Sequence, residues 1–342
     1  MPIFMIGTQR SGSNLLRLML NQLSEIAAPH PPHILQRMKP LEKGYGDLSK
    51  DENFMQMVDD VCKLVELNPV PWEGVKLDRK DVASRCRERT VVAAFGAVYD
   101  INAETNKAAT WCCKSLANIN YLDEIEAYYG DAARYIYLYR DGRDVALSFR
   151  KAVVGEKHNY HIGNEWGATQ RIALKSRKHI DPKRFYNLSY ESLTNSPEEA
   201  MRGLCNFLGA EYNDSMLDFH ESDEAKRAAS SSELWGNVVK PVMTDNTNKF
   251  LREMTKDDIR VFELVAGDVL DGLGYKRFHT KVGEMANFTA DEIKHFDAEN
   301  QRIKQEVLSK VDPEDMKRRD QQAGLIKEIK DRHQARKTGA FA

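Results

Sequence analysis

The sequence predicts an α/β, P-loop-like three-layer fold, with a central parallel sheet, helices on both faces and a charged helical C-terminal extension. Three observations predict it. The chain opens on an apolar run, Pro2-Ile3-Phe4-Met5-Ile6, that enters a glycine turn and then a stretch with leucines at helical spacing. Short apolar runs recur between helical segments, the clearest being Arg134-Tyr135-Ile136-Tyr137-Leu138-Tyr139. Beyond residue 280 the sequence becomes highly charged, with sparse apolar positions. Alternating strands and helices imply a parallel sheet whose ligands lie at the carboxyl ends of its strands.

The first strand is expected over 2–6, followed by the turn Gly7-Thr8-Gln9-Arg10-Ser11-Gly12-Ser13 and a helix from Asn14. A second short strand fits 25–28, because three prolines in Pro29-His30-Pro31-Pro32-His33 cannot join a sheet ladder. Residues 34–80 read as a polar, partly helical excursion with turns at 44–46 and 68–69. A single helix is expected over 81–103, a strand over 109–113 and a helix near 118–129 closed by Gly130. The strand 134–139 leads to Arg140-Asp141-Gly142-Arg143, where Asp144 is the expected cap of the next helix. A helix over 158–180, a strand over 184–189 and a helix over 197–208 stopped by Gly209 follow. Loops are expected around Ser230-Ser231-Ser232 and Pro241, then a helix over 256–272. Thr289 and Glu292 form a capping box at the start of the charged tail, about 285–338, which is expected to break near Pro313. That tail could pack on its own domain or on a partner, with 327–337 facing solvent.

With 342 residues, 42% of them hydrophobic, the chain can bury a sizeable core. Its 50 basic and 52 acidic side chains give a formal charge of −2, so there is no global electrostatic case for nucleic acid or an anionic membrane. The five cysteines form no CxxC pair, which argues against a disulfide framework and for a reducing compartment. Cys112 and Cys113 would point to opposite faces of a strand, as core side chains. The N-terminal run reads as a strand rather than a signal peptide, and no stretch reaches the length of a membrane span. A cytoplasmic location is the resulting expectation.

A strand, then Gly7 to Asn14, then a helix is an arrangement for binding phosphate, since backbone N–H groups and the helix dipole converge on one anion. Ser11, Ser13 and Asn14 can donate hydrogen bonds, Arg10 adds a charged fork, and Gly12 permits tight dihedrals. The ATP-loop pattern GxxxxGK[ST] is not met, because Ser13-Asn14 follow Gly12. Arg140, at a strand end, and Ser148 make a second anion site, while Arg143 could pair with Asp144 on the helix surface. Two separated sites on one sheet edge suit a nucleoside phosphorylated at both ends.

These motifs together resemble the sulfotransferases that use 3′-phosphoadenosine 5′-phosphosulfate, particularly their bacterial, carbohydrate-type and tyrosylprotein-type branches. The family turn "PRSGTTLL" is similar to Gln9-Arg10-Ser11-Gly12-Ser13-Asn14-Leu15-Leu16, and the arginine followed eight residues later by serine corresponds to Arg140 and Ser148. The resemblance implies that the turn holds the 5′-phosphosulfate and that Arg140 and Ser148 hold the 3′-phosphate. It also implies that Tyr190, in Tyr190-Glu191-Ser192-Leu193, lies near the adenine, and that Lys249 belongs to a nucleotide lid. The product would be adenosine 3′,5′-bisphosphate. Arg10 and Lys114 are the candidates for charge stabilisation, Lys114 by its likeness to a family lysine in "KSP" or "KTP". The base is less plain. Small-molecule members carry a histidine in "KTHLP" where this chain has Lys114-Ser115-Leu116-Ala117, and other branches carry a glutamate where this chain has 29–33. His30 and His33 are therefore the candidates, and no metal is required.

The resemblance covers about 2–278. It implies a nucleotide-binding and catalytic domain over 1–280, with a divergent acceptor-side insertion at about 34–105, and a helical extension over 281–342. Acceptor walls are expected in that insertion and in the 158–180 helix, with Tyr160, His161 and Trp166. The acceptor class stays open, as does homodimerisation through the C-terminal helices. Two rival readings remain: a kinase-like phosphoryl transferase, against which the missing lysine counts, and a non-catalytic nucleotide-binding assembly protein.

Overall fold

Five parallel strands form one sheet: β1 (Ile3–Gly7), β2 (Ile26–Ala27), β3 (Thr110–Cys113), β4 (Arg134–Tyr139) and β5 (Phe185–Ser189), in the order β2-β3-β1-β4-β5. The computed structural model describes residues 1–231, 233–310 and 313–338. The central strand β1 is wholly buried, so both of its faces are apolar and its sequence reads as a continuous run. The chain leaves β1 toward β2 and β3 on one side and later builds β4 and β5 on the other. That reversal opens a crevice at the carboxyl end of β1, where ligands of such sheets bind.

After β1 comes α1 (Ser13–Leu20). The connection from β2 to β3 holds α2 (Ile34–Met38), a 3-10 turn at Lys39–Tyr45, α3 (Asp51–Glu66), α4 (Arg79–Arg85) and α5 (Val91–Thr105). Before β4 lies α6 (Leu122–Tyr129); after it come α7 (Gly142–Lys151) and α8 (Asn159–Ser176). β5 leads to α9 (Tyr190–Asn195) and α10 (Pro197–Leu208), and the chain ends with α11 (Asp223–Ser231), α12 (Phe250–Glu253), α13 (Lys256–Gly272), α14 (Ala290–Leu308) and α15 (Pro313–Thr338).

Alternation along the strands divides the core. Phe4, Ile6, Trp111, Cys113, Tyr135 and Tyr137 face one layer, with side chains of α3, α5 and α15. Ile3, Met5, Cys112, Ile136, Leu138 and Leu188 face the other, against α1 and α10. The adjacent cysteines thus serve opposite layers, and all five cysteines are free thiols. A third cluster, built on Trp166, Phe262, Val269 and Leu270, joins α8 to α13.

The structure corrects several expectations. The single helix over 81–103 is two, α4 and α5, because Cys86 is extended and Thr90 caps a fresh start by accepting from the Ala93 N–H. The excursion 34–80 is not mainly polar surface: Phe54, Met57, Val58 and Val61 of α3 enter the main core. Asp141, not Asp144, caps α7, accepting from the Arg143 N–H. The chain around Ser230 is helical through Ser231, and Ser232 lies outside the described residues. The expected break near Pro313 is present, since α14 ends at Leu308 and α15 begins at Pro313; 311 and 312 are likewise outside the described residues. The stretch 327–337 does not simply face solvent, since Ile329 and His333 are buried and Arg332 pairs with the fully buried Asp60. Among the described residues no helix is long and apolar enough to cross a membrane.

Candidate active site

Each strand delivers a candidate residue at its carboxyl end. β1 gives the turn 7–14, β2 the segment 29–33, β3 Lys114, β4 Arg140 and β5 Tyr190. Gly7 is required where β1 meets β4, because its φ is 137° and a Cβ would lie 2.2 Å from the Leu138 carbonyl oxygen. Gly12, with φ 86°, brings the turn against the Tyr190 ring, and a Cβ there would lie 2.5 Å from that ring. Arg10 also sits at positive φ, 68°, a backbone strain of about 1–3 kcal/mol that the surrounding turn must hold.

The two predicted anion sites are joined through Arg10. Its Nε donates to Ser148 Oγ at 2.9 Å, while Arg140 Nη1 donates to the Arg10 carbonyl at 3.0 Å. Arg140 Nη2 donates to the Asn246 carbonyl at 2.5 Å, and its guanidinium lies 4.3 Å above the Tyr190 ring centroid. Arg140 Nε and Ser11 Oγ are buried with no hydrogen-bond partner among the described residues. Burial, and then the charge of Arg140, lower the Arg10 pKa. Two guanidinium groups brought this close, with polar atoms left open, fit a phosphate oxygen set.

Arg143 and Asp144 do not pair with each other. Arg143 is buried and bonds Asp141 at 2.7 Å and Glu263 at 2.6 Å, tying α7 to α13. Asp144 accepts from the Phe250 N–H at 2.9 Å and so fixes α12, with Lys249 immediately before it. Lys249 shares a groove with Arg10, Arg140 and Ser148. A neighbouring pocket runs from Gly12, Ser13 and Asn14 past Tyr190 to the segment 237–246.

On the other side of the turn lies a larger cavity of about 820 Å³, lined by Gln9, Arg10, Ser13, Asn14, His33 and Lys114 among others. Lys114 Nζ donates to Asn14 Oδ1 at 2.7 Å. Burial, with a smaller contribution from Arg17, lowers its pKa to about 7. His33 Nδ1 is 2.9 Å from Ser115 Oγ, and burial, Lys114 and Arg37 bring the imidazole down to about 3. It is therefore neutral near neutral pH. His30 is more deeply buried; its carbonyl accepts from Asn68 Nδ2 at 2.8 Å and Trp72 Nε1 at 2.7 Å, and burial holds its pKa well below the ordinary value.

Some expected wall residues lie elsewhere. Trp166 is fully buried against Phe262, and Tyr160 packs edge-on to Phe288 and tilted against Phe296, and neither lines the cavity; His161 pairs with Asp297. The 34–105 insertion, where walls were expected, contributes Arg37 of α2, which was not singled out, and α15 adds Gln322, Ala323 and Ile326, which sequence reasoning missed. Asn246 was also missed, because it acts through its main chain, which no residue pattern announces.

A parallel sheet of this kind, with a glycine turn at its switch point and two arginines beside it that leave buried polar atoms open, suits a protein that binds a phosphorylated ligand there. A model of the sulfotransferase family matches residues 2–214, and the chain belongs to that family. Sulfuryl-group transfer is its chemistry, and membership implies use of 3′-phosphoadenosine 5′-phosphosulfate. Among curated relatives, protein-tyrosine sulfotransferase A of Caenorhabditis elegans is 23% identical over 282 residues, covering 80% of this chain and 67% of that one. Protein-tyrosine sulfotransferase 2 of Gallus gallus is 21% identical over 285 residues, covering 80% and 69%. Of solved structures, the sulfotransferase domain of the Synechococcus PCC 7002 olefin synthase has the same fold, with a TM-score of 0.53 at 20% identity over 81% of this chain and 95% of the domain.

Proposed function

We propose that the chain binds its donor across the turn at the end of β1, within a catalytic unit spanning 1–280, and transfers the sulfuryl group to an acceptor hydroxyl or amine in the 820 Å³ cavity. The observation that carries this reading is the bond chain Arg140–Arg10–Ser148, which connects the nucleotide-side pocket to the larger cavity at one residue. The donor, when bound, supplies the sulfuryl group and a phosphate leaving group. The turn's N–H groups, Gln9, Ser11, Ser13 and Asn14 hold the 5′ end; Arg140 and Ser148 hold the 3′-phosphate; the Tyr190 ring supports the adenine; Lys249 closes the groove.

Arg10 and Lys114, the latter bonded to Asn14, line the same cavity and meet the negative charge that grows on the bridging oxygen. His33 is the better placed of the two histidines to take the acceptor's proton. Both line the cavity, but His33 is the less buried and its ring is oriented by Ser115, whereas His30 is only 4% exposed and its main chain is fastened to Asn68 and Trp72. The role needs Nδ1–H donating to Ser115 Oγ, which leaves the Nε2 lone pair free to act.

Calorimetric titration with adenosine 3′,5′-bisphosphate, beside ATP with and without magnesium, tests the donor assignment. Micromolar binding of the bisphosphate that ignores magnesium supports it; preference for magnesium-ATP overturns it. His33→Gln should leave bisphosphate affinity intact and remove acceptor-dependent turnover.

A further inference from the structure

The family match ends at residue 214, yet the wall of the large cavity is completed by the C-terminal extension. Gln322, Ala323, Ile326, Lys327 and Lys330 of α15 line it. The helix is fastened there by specific contacts: Gln322 Nε2 donates to the Leu64 carbonyl at 2.8 Å, Leu325 and Ile329 enter the main core, and Arg332 pairs with Asp60. Asp60 also accepts from the Tyr45 hydroxyl at 2.7 Å, so α15, α3 and the 3-10 turn are locked at one buried carboxylate. The preceding helix α14 acts from the other side. Asn300 Oδ1 accepts from the Lys157 and His158 N–H groups, and Lys304 pairs with Glu156, steadying the segment whose Val154 reaches the cavity.

The charges on this wall are unbalanced. Arg37 stands on α2, one helical turn beyond His33, and burial lowers its pKa. Among the described residues its guanidinium makes no hydrogen bond or ion pair. Lys330, solvent-exposed on α15, borders the same space, also without an ion pair among the described residues, while Lys327 is already paired with Asp331, the one carboxylate among the described residues of the lining. Arg10 and Lys114 are directed toward Ser148 and Asn14 on the donor side. Arg37 and Lys330 are left over after the donor is accommodated, and a half-buried guanidinium is costly unless an anion meets it.

We infer that the C-terminal extension is the acceptor-selecting element of this enzyme and that its acceptor is a small molecule bearing a carboxylate or phosphate, held between Arg37 and Lys330 with its nucleophile at His33. The inference rests on the donor placement proposed above. A cavity of about 820 Å³ is within the range of small-molecule sites.

The test uses the full chain saturated with adenosine 3′,5′-bisphosphate and dissociation constants from ligand-observed NMR. The probes are 4-hydroxyphenylacetate against 4-hydroxyphenethyl alcohol, and glucuronate and glucose 6-phosphate against glucose. On at least one scaffold the anionic probe should bind about tenfold or more tighter than its neutral partner, the size of one charge-assisted contact. That advantage should vanish in Arg37→Gln and shrink in Lys330→Gln, with bisphosphate affinity unchanged in both. Ala323→Trp, filling the cavity from α15, should weaken charged and neutral probes alike. Whether glucuronate or glucose 6-phosphate gains more tells carboxylate from phosphate. Neutral probes binding as tightly as anionic ones, no probe binding at all, an advantage that survives Arg37→Gln, or indifference to Ala323→Trp each overturns the inference. A fall in bisphosphate affinity in Arg37→Gln also overturns it, by moving Arg37 to the donor. Failure of the wild-type chain to bind the bisphosphate instead counts against the donor placement.

Discussion

Replacing Arg140 by alanine separates the two anion sites, because its contacts are of two kinds. Its guanidinium holds the turn by donating to the Arg10 carbonyl, and it leaves a buried Nε with no partner, open to a ligand oxygen. The first function serves any nucleotide that uses the turn; the second serves only one with a 3′-phosphate. Losing a charge-assisted contact to the 3′-phosphate costs about 1.5–3 kcal/mol, or roughly 10- to 150-fold in affinity. Losing the bond to Arg10 costs about 1 kcal/mol, roughly fivefold, and falls on every ligand of the turn. Arg140→Ala should therefore weaken adenosine 3′,5′-bisphosphate by the product of both factors and adenosine 5′-monophosphate by the smaller one alone. Calorimetric titration of both ligands against both proteins measures the difference. Equal losses for the two nucleotides would refute the assignment of the 3′-phosphate to Arg140 and leave it a brace for the turn.

Three further outcomes are expected. Gly12→Ala places a methyl group against the Tyr190 ring at a positive φ, so bisphosphate affinity should fall at least tenfold, the equivalent of about 1.4 kcal/mol, and an unchanged titration would remove the turn from the site. Lys114, with its pKa lowered to about 7, is mostly neutral at pH 8 in the free protein, and a bound anion restores its charge. Bisphosphate binding at pH 8 should take up most of a proton, seen as a dependence of the calorimetric heat on buffer ionisation enthalpy, and Lys114→Met should abolish that uptake. Without ligand the sign is opposite: the folded chain holds this proton less tightly than the unfolded chain, so the Lys114 contribution makes stability rise between about pH 7 and the ordinary lysine pKa. Arg332→Met leaves the buried Asp60 carboxylate with only neutral partners and should lower unfolding stability in urea by about 3 kcal/mol, with Asp60→Asn milder; a silent Arg332→Met would mean that α15 is not locked there.

How much of this was legible in the sequence follows from where the information sits. β4 was read residue for residue, because after Arg134 a five-residue alternation of aromatic and aliphatic side chains, buried on both faces through Leu138, allows little else. α10 was equally plain, bounded by Pro197 in its first turn and Gly209 at φ 71° past its end. The turn after β1 was legible because its backbone conformation demands glycine at Gly7 and Gly12, and that demand is written in the chain. Asp141 and Asp144 were confused because both can cap a helix; Arg143 decides between them by folding back onto Asp141, a choice driven by Glu263 over a hundred residues away.

The stretch 327–337 of the C-terminal helix was misread as solvent-facing for a more instructive reason. Its buried stripe is Gln322, Leu325, Ile329 and His333, at spacings of three and four, as any packed helix face requires. Two of those four are polar, so the stripe hardly differs in hydrophobicity from the charged residues around it, and the periodicity that reveals an amphipathic helix is nearly cancelled. The polar members are there because the surface they meet is polar: Gln322 answers the Leu64 carbonyl, and His333 lies edge-on to Tyr45, beside Asp60. A helix that closes a cavity lined by histidine, arginine and lysine must present polar atoms to it and to the helix ends nearby. Its burial is therefore hidden from any argument based on apolar periodicity, and shows only where α15 meets α3 and the 3-10 turn in the assembled structure.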